Sequence, residues 1–420
     1  MRFPEEVLTL IDRLEEAGFE AWIVGGGGRD AYLNEQGLLK LPLHDIDLTT
    51  NAHPDQIEAV FSDCKTLDVG RRYGTIRVLW GQSVYEITSY RSEGAYQDGR
   101  HPDLLQFSDH LEEDLIRRDF TMNAMAYHPK RGLVDLFGGR ADLSAGRLRA
   151  VGEARERLME DGLRMLRAVR FSARLDLTLE TELSEAILAL HERVGLLSVE
   201  RCLEEMTRML EGPRPTKAMK HLHELGLLES LLPELTEPLV EGRFERLPEE
   251  AFYRWACLFL SLPGAEEPRA KAARRCLRRL KSSLDLQKKV GLLLSVQGPW
   301  PDNAHEARLF LHRYGTDAVA ILRFQASAYE MNHPEGQALA RAGHLVEEVL
   351  QQGLATQISD LAIGGDEILQ MGYNQGRQIG ALLEDLLEAV MAGQVENHRS
   401  ALTRWIQDHA EPTREGRRQI

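Results

Sequence analysis

Apolar and polar positions over the first 140 or so residues switch between two periods. From about Pro4 to Ala17, the residues Val7, Leu8, Ile11 and Leu14 recur at three to four and predict an amphipathic helix. Ala21 to Val24 is a short apolar run, a predicted strand, followed by the break Gly25-Gly26-Gly27-Gly28 and a helix expected to start near Arg29. Ile46 to Thr49 reads as the next strand, and His53-Pro54-Asp55 introduces another helix. Thr75 to Trp80 and Val84 to Tyr90 read as adjacent strands across a Gly81-Gln82-Ser83 turn, and Leu133 to Leu136 as a last short strand before Gly138-Gly139. The pattern predicts a small mixed sheet carrying helices. It holds too few strand–helix repeats for a large doubly wound fold.

After about Arg155 the period of three to four takes over. Leu163, Leu166, Val169 and Arg170 begin one helix, and Leu179, Leu183, Ile187 and Leu190 set another. Further helices are predicted over Val199–Leu210, Thr216–Leu225, Ala251–Leu262, Leu286–Leu294, Glu306–Tyr314 and Gly376–Gly393. Pro213, Pro215, Pro233, Pro263, Pro299 and Pro301 punctuate them. The fold class expected is therefore α+β, a small α/β head followed by an all-helical remainder.

Composition changes this picture little. The 420 residues, 43% hydrophobic and 28% charged, can bury a core and build two or more domains. No apolar run approaches the roughly 20 residues that span a bilayer, and Met1-Arg2-Phe3-Pro4-Glu5-Glu6 does not read as an export signal. Cys64, Cys202, Cys257 and Cys276 are too widely spaced for a metal knuckle, so a reduced cytoplasmic protein is expected. The formal charge of −15 opposes a nucleic-acid partner only in the far field. Between Arg269 and Lys289, nine Lys or Arg residues meet the single acid Asp285. Such a strip either follows a phosphate backbone or is an ordinary solvated helix face.

The candidate chemistry centres on His44-Asp45-Ile46-Asp47-Leu48-Thr49-Thr50. On a strand, Asp45 and Asp47 share a face, and two carboxylates that close need a cation between them. Magnesium with phosphate oxygens supplies one. The glycine run lets backbone N–H groups approach phosphates near a helix N-terminus, yet it matches neither a Walker A loop nor a dinucleotide fingerprint. Glu86, charged within the apolar strand Val84-Tyr85-Glu86-Ile87-Thr88, is either a third acid near the metals or the partner of a nearby arginine. Arg117 and Arg118 add two positive groups on an approximately helical stretch, suitable for triphosphate charge, or else bridge Glu112 or Glu113. Asp161 and Arg164, three apart, can share one helix face and offer acceptors and donors to a base edge, or pair with each other.

Taken in order, these motifs resemble the class II tRNA nucleotidyltransferase and bacterial poly(A) polymerase family, most closely the bacterial CCA-adding enzymes. Gly25-Gly26 with Arg29-Asp30 matches its glycine motif, and Asp45-x-Asp47 its metal motif. Arg117-Arg118-Asp119-Phe120-Thr121-Met122-Asn123-Ala124 matches its Arg-Arg-Asp segment, which implies ribose and triphosphate contacts. Glu160-Asp161-Gly162-Leu163-Arg164 matches the element that reads the incoming base, with Arg167 and Arg170 further along in the nucleotide-binding set. Glu200-Arg201, with Glu205 and Arg208, looks like the helical motif supporting that pocket, and Leu361-x-Ile363-x-Gly365-Asp366 through Asn397 looks like the C-terminal tail.

The resemblance implies a nucleotidyltransferase head (1–140), a helical neck with the nucleotide-selecting motif (141–235), a helical body (236–350) and a tRNA-binding tail (351–420). It also implies Mg²⁺ on Asp45 and Asp47, CTP and ATP as substrates, and the tRNA acceptor arm as partner. The segment Arg91 to Pro102 resembles the loop that switches the pocket from cytidine to adenosine. Three features depart from the pattern. Gly27-Gly28 replaces a Cys-Val-like pair, which suggests a looser triphosphate site, Tyr73-Gly74-Thr75 replaces His-Gly-Thr, and Gly70-Arg71-Arg72-Tyr73 leans toward poly(A) polymerases. Specialised A-adding or CC-adding activity, or poly(A) synthesis, therefore stand beside CCA addition.

Overall fold

The computed structural model describes the chain except residues 2, 42, 44–45, 94–104, 237, 240–241, 265–267, 330–332, 374–375 and 411–420. Two compact units divide it: 1–239 with 278–282, and 240–277 with 283–420.

In the first unit, strands and helices alternate over the head: α1 (Glu5–Glu16), β1 (Ala21–Val24), α2 (Gly25–Glu35), β2 (Asp47–Thr50), α3 (Pro54–Val60), β3 (Lys65–Leu67), β4 (Thr75–Trp80), β5 (Ser83–Ser89), β6 (Arg91–Glu93), β7 (Leu105–Phe107), α4 (Leu111–Ile116), β8 (Met125–His128), β9 (Gly132–Asp135) and α5 (Gly139–Ser144). Seven strands form one sheet in the order β3-β4-β5-β2-β1-β8-β9, while β6 and β7 form a separate antiparallel pair. The sheet is mixed because β2 and β5 run parallel, with Leu48 beside Ile87 and Thr49 beside Thr88. Its other pairings, such as Val24 with Asp47, are antiparallel.

Period-two alternation gives this sheet two different faces. Ile23, Leu48, Ile76, Val78, Tyr85 and Ile87 bury one face against Val7, Leu10, Ile11 and Leu14 of α1 and Ile57 of α3. Trp22, Val24 and Ala126 point the other way and pack with Leu111 and Leu115 of α4. Asp47 and Thr49, one step out of phase with Leu48, belong to that second face, where the candidate chemistry lies.

Helices complete the unit: α6 (Ala154–Glu160), α7 (Leu163–Leu175), α8 (Thr181–Leu190), α9 (Val199–Leu210), α10 (Pro215–Glu224) and α11 (Leu227–Leu231). Helix α8 begins after Leu179, which is instead paired in a two-residue strand with Leu148. The second unit is helical throughout its regular elements: α12 (Ala251–Leu258), α13 (Arg269–Arg279, whose last two residues group with the first unit), α14 (Leu284–Ser295), α15 (Ala304–Tyr314), α16 (Asp317–Ala326), α17 (Pro334–Gln351), α18 (Gly365–Gln370), α19 (Arg377–Met391) and α20 (Arg399–His409). Two clusters of its apolar residues lie on α15–α17 and on α18–α20, and Trp255 and Leu258 of α12 and Val290 and Leu293 of α14 are buried as well. The α+β head followed by helices is as expected. The basic strip is not one helix, since a turn separates α13 from α14.

Candidate active site

The glycine run is not a loop before a helix; it is the first turn of α2, which starts at Gly25 rather than near Arg29. Only Gly25 has a left-handed backbone there, with φ of 65°. A Cβ at this position would lie 3.6 Å from Asp47 Oδ2 and 3.5 Å from Arg118 Nη1, so glycine keeps open a space flanked by a carboxylate and a guanidinium. Gly27 and Gly28 are buried within the helix, and a Cβ on Gly27 would press on Ile46 at 3.3 Å. The lack of a side chain at Gly27 lets α2 come close to the chain entering β2, whereas a Cβ on Gly28 would meet the Ile23 carbonyl at 3.7 Å. Both residues are helical.

Asp47 opens β2 on the site face. Asp45, its expected companion, lies outside the described residues, and among those described no group of three or more His, Cys, Asp or Glu forms a metal cluster. Glu86 sits on the same face, in the lane next to Asp47 that the parallel pairing creates. Its carboxylate is engaged across the hairpin by Arg77, at 2.8 Å from Nε and 2.6 Å from Nη2. Of the two readings of Glu86, the ion pair is the one formed here.

Arg117 and Arg118 are not on a helical stretch: α4 stops at Ile116, and Arg117 is its cap. Nor do they bridge Glu112 or Glu113. Both turn onto Asp114, whose side chain is fully buried: Arg117 donates through Nε at 3.0 Å and through Nη2, and Arg118 donates through Nη2 at 2.8 Å. Burial alone would raise the Asp114 carboxyl, but the two guanidiniums hold it down at about 2. Arg118 Nε is buried and finds no acceptor among the described residues, and Nη1 is turned toward the space at Gly25.

The rest of the predicted set locks the head to α7. Buried Arg29 donates to Asp30 and, at 2.7 Å, to Asn123, while Asp30 also meets Arg174 of α7 at 3.2 Å. Asp119 accepts from its neighbour Phe120 N–H and from Asn123 Nδ2 with one oxygen, and from Arg167 with the other. Burial opposes its charge, yet Arg167 and Asn123 hold it at about 2. Arg170 pairs with buried Glu205 at 2.6 Å, and the guanidiniums of Arg29, Arg167 and Arg170 surround the Phe171 ring at 5.1, 5.3 and 4.2 Å. Gly26 lies beside Arg29, whose Nη2 would be 3.5 Å from a Cβ there.

Asp161 and Arg164 do not share a helix face. Asp161 is extended, at φ −144° and ψ 106°, in the break between α6 and α7. Its Oδ1 accepts Leu163 N–H at 3.0 Å and its Oδ2 accepts Arg201 at 2.7 Å. Arg164 pairs with Glu160 and donates to the Arg117 carbonyl at 2.9 Å. The base-selecting segment is thereby wired to the arginine pair.

Of the proposed switching loop, the stem is described: β6 pairs with β7 from Arg91–Phe107 to Glu93–Leu105, and residues 94–102 of the loop lie outside the described set. Arg91 donates to the Tyr73 carbonyl at 2.8 Å, tying that stem to the Tyr73-Gly74-Thr75 departure, and Arg71 pairs with Asp55 and Glu58 of α3. Sequence reasoning missed Asp114, Thr49 and Phe171. For Asp114 a signal existed, three and four residues before the arginines. The Glu112-Glu113-Asp114 run offered three acids, and only burial distinguished the third.

Three family descriptions match along the chain: "Poly A polymerase head domain" over 21–149, "Probable RNA and SrmB-binding site of polymerase A" over 176–239, and "tRNA nucleotidyltransferase domain 2 putative" over 249–406. The CCA-adding enzyme of Lactobacillus delbrueckii subsp. bulgaricus is 32% identical over 420 aligned residues, covering 96% of this chain and 97% of its own length. The chain belongs to the class II tRNA nucleotidyltransferase and poly(A) polymerase family. Another family member, the CCA-adding enzyme of Lactobacillus gasseri, is 34% identical over 414 residues, covering 95% and 96%. Among solved structures of the family, the Bacillus stearothermophilus CCA-adding enzyme in complex with CTP matches with a TM-score of 0.76 and 30% identity, over 97% of this chain and 98% of that one. The Thermotoga maritima CCA-adding enzyme complexed with tRNA shares the fold, with a TM-score of 0.56 at 20% identity.

Proposed function

We propose that this chain adds CCA to the 3′ end of tRNA without a nucleic-acid template, using CTP and ATP and releasing pyrophosphate. The observation that carries the chemistry is the approach of the Asp47 carboxylate and the Arg118 guanidinium to the same bare glycine, Gly25. Similarity to CCA-adding enzymes over nearly the whole length of both chains carries the choice of substrate.

The acceptor's terminal 3′-oxygen attacks the α-phosphorus in line. The new bond is a phosphodiester; the α–β bridge breaks, pyrophosphate leaves, and the hydroxyl proton passes to solvent. Arg118 and Arg117 hold the β- and γ-phosphates and stay with the charge that builds on the departing pyrophosphate. Asp119 and Asn123 face the ribose from the turn that Arg167 and Arg29 fix. Asp161 and Arg164 read the pairing edge of the base, so that a protein edge replaces a template base.

The residues fit a magnesium site. Asp47 presents a hard oxygen to a space that glycine keeps free, and Asp45 is the second donor two positions earlier. Magnesium held there would lower the proton affinity of the 3′-hydroxyl and neutralise the triphosphate. Four cysteines without a disulfide and a tRNA substrate suit work in the cytoplasm.

Purified protein with tRNAs lacking all of CCA, lacking its last two nucleotides or lacking the final A, followed by product sequencing, tests this reading. The shortest substrate should gain two C residues and then one A, and stop. A alone on tRNA ending in CC, or unlimited A on unstructured RNA, would replace the reading with a specialised A-adding enzyme or a poly(A) polymerase.

A further inference from the structure

Asp114 is the one fully buried carboxylate on which both arginines of the pair converge. Its second oxygen also lies 3.3 Å from Thr49 Oγ1, whose single hydroxyl proton is shared with the Thr88 carbonyl at 3.1 Å. Thr49 is two residues after Asp47 on β2, so it shares the face from which Asp47 reaches the Gly25 space. Leu111 and Leu115 fix α4 on the sheet through Trp22, Val24 and Ala126, which places Asp114 at a set depth over β2. Without a carboxylate here, two guanidiniums side by side would repel each other and swing toward solvent.

We propose that Asp114 is a positioning residue for the triphosphate: it fixes Arg117 and Arg118 at one distance from the strand that carries Asp47, acting through them and touching no substrate itself. One oxygen serves Arg117, and the other bridges Arg118 to Thr49. The pair is thereby oriented before nucleotide arrives, so binding does not have to order two long side chains. Arg118 in particular keeps Nη2 on Asp114 while Nη1 stays turned to the Gly25 space. This rests on the nucleotidyltransferase reading above.

Asp114→Asn preserves size and removes the charge, and its amide would present N–H groups to arginine donors. Steady-state transfer onto tRNA ending in CC should show KM for ATP raised about tenfold, with kcat at saturation changed much less. Inhibition by pyrophosphate should weaken by a similar factor, while the dissociation constant for tRNA stays at the wild-type value. A merely structural loss would lower the active fraction, and so kcat, and leave KM and pyrophosphate inhibition where they were. Thr49→Val removes the hydroxyl donor without touching the charge. It should shift both quantities in the same direction by about twofold to threefold, and it serves if the Asn variant does not fold. Unchanged KM and pyrophosphate inhibition in the folded variants, or a fall in kcat alone, would overturn the proposal. Failure of the wild-type protein to extend any tRNA would overturn the functional reading instead. Calorimetric titration with ATP would still test Asp114 in that case: equal affinities of wild type and variants would refute it.

Discussion

Gly25 shows how much one residue type can decide. Its φ of 65° is costly for any side chain, and a methyl group there would touch both Asp47 Oδ2 and Arg118 Nη1. Gly25→Ala should cost about 1–2 kcal/mol of stability, yet lower transfer by about a hundredfold or more, because the space it fills is the one the nucleotide needs. Activity lost in proportion to unfolded protein, followed by circular dichroism, would contradict this. Asp119 decides a different quantity. Its carboxyl is depressed to about 2, so its contribution to stability is complete above the ordinary carboxylate range and is lost as pH falls through the folded value. Asp119→Asn should be less stable than wild type at neutral pH by on the order of 2 kcal/mol, and that gap should close between about pH 4 and pH 2. Urea titrations across this window measure it; a gap independent of pH would mean that the Arg167 pair contributes nothing.

At the scale of elements, the site depends on turns meeting with no room to spare. The first residue of α5, Gly139, has its N–H on Asp135 at 2.7 Å, and a Cβ there would sit 2.3 Å from the Thr121 carbonyl oxygen. The short turn Thr121–Asn123 carries Asn123 to Arg29 and Asp119, so backbone meets backbone and neither can yield cheaply. Gly139→Ala is expected to destabilise by about 3 kcal/mol, read as a lower urea midpoint. It should also weaken nucleotide binding, since Asn123 must move with the turn. A midpoint within error of wild type would show that α5 slides freely. The same scale explains what the motif spacing could not convey about Asp161 and Arg164. Three residues apart implies a shared face only inside a helix, and the break between α6 and α7 sends Asp161 to Arg201 and Arg164 to the Arg117 carbonyl.

Across the whole molecule, the net charge of −15 requires RNA to be met by local positive charge. Helix α13 buries Ala272, Ala273, Cys276 and Leu277 and exposes Lys271 and Arg275, which gives the basic strip a solvent-facing side. Replacing Lys271 and Arg275 together by Glu should weaken tRNA binding and flatten its dependence on salt by about one to two counterions, leaving KM for CTP untouched. Equal affinity and an equal salt slope would return the strip to an ordinary solvated face.

The sequence by itself determined part of the elements and the order of the motifs. Hydrophobic period fixed α1, β1, β4 and α9 to within a residue or two, because burying one face is a local demand written in adjacent positions. Motif order along the chain carried the family. In the tail, Asn397 belongs to the same motif as Leu361 and Ile363, and in the fold it accepts from Ala362 N–H and donates to the Asp360 carbonyl. What only the tertiary structure decided is which charge answers which. The arginine pair went to Asp114 rather than to Glu112 or Glu113, and Arg167 to Asp119, because charges must be paired where they are buried and burial is set by distant segments. The glycine run became helix rather than loop for a related reason: a close approach such as that of Gly27 to Ile46 exists only once α2 and β2 are packed together.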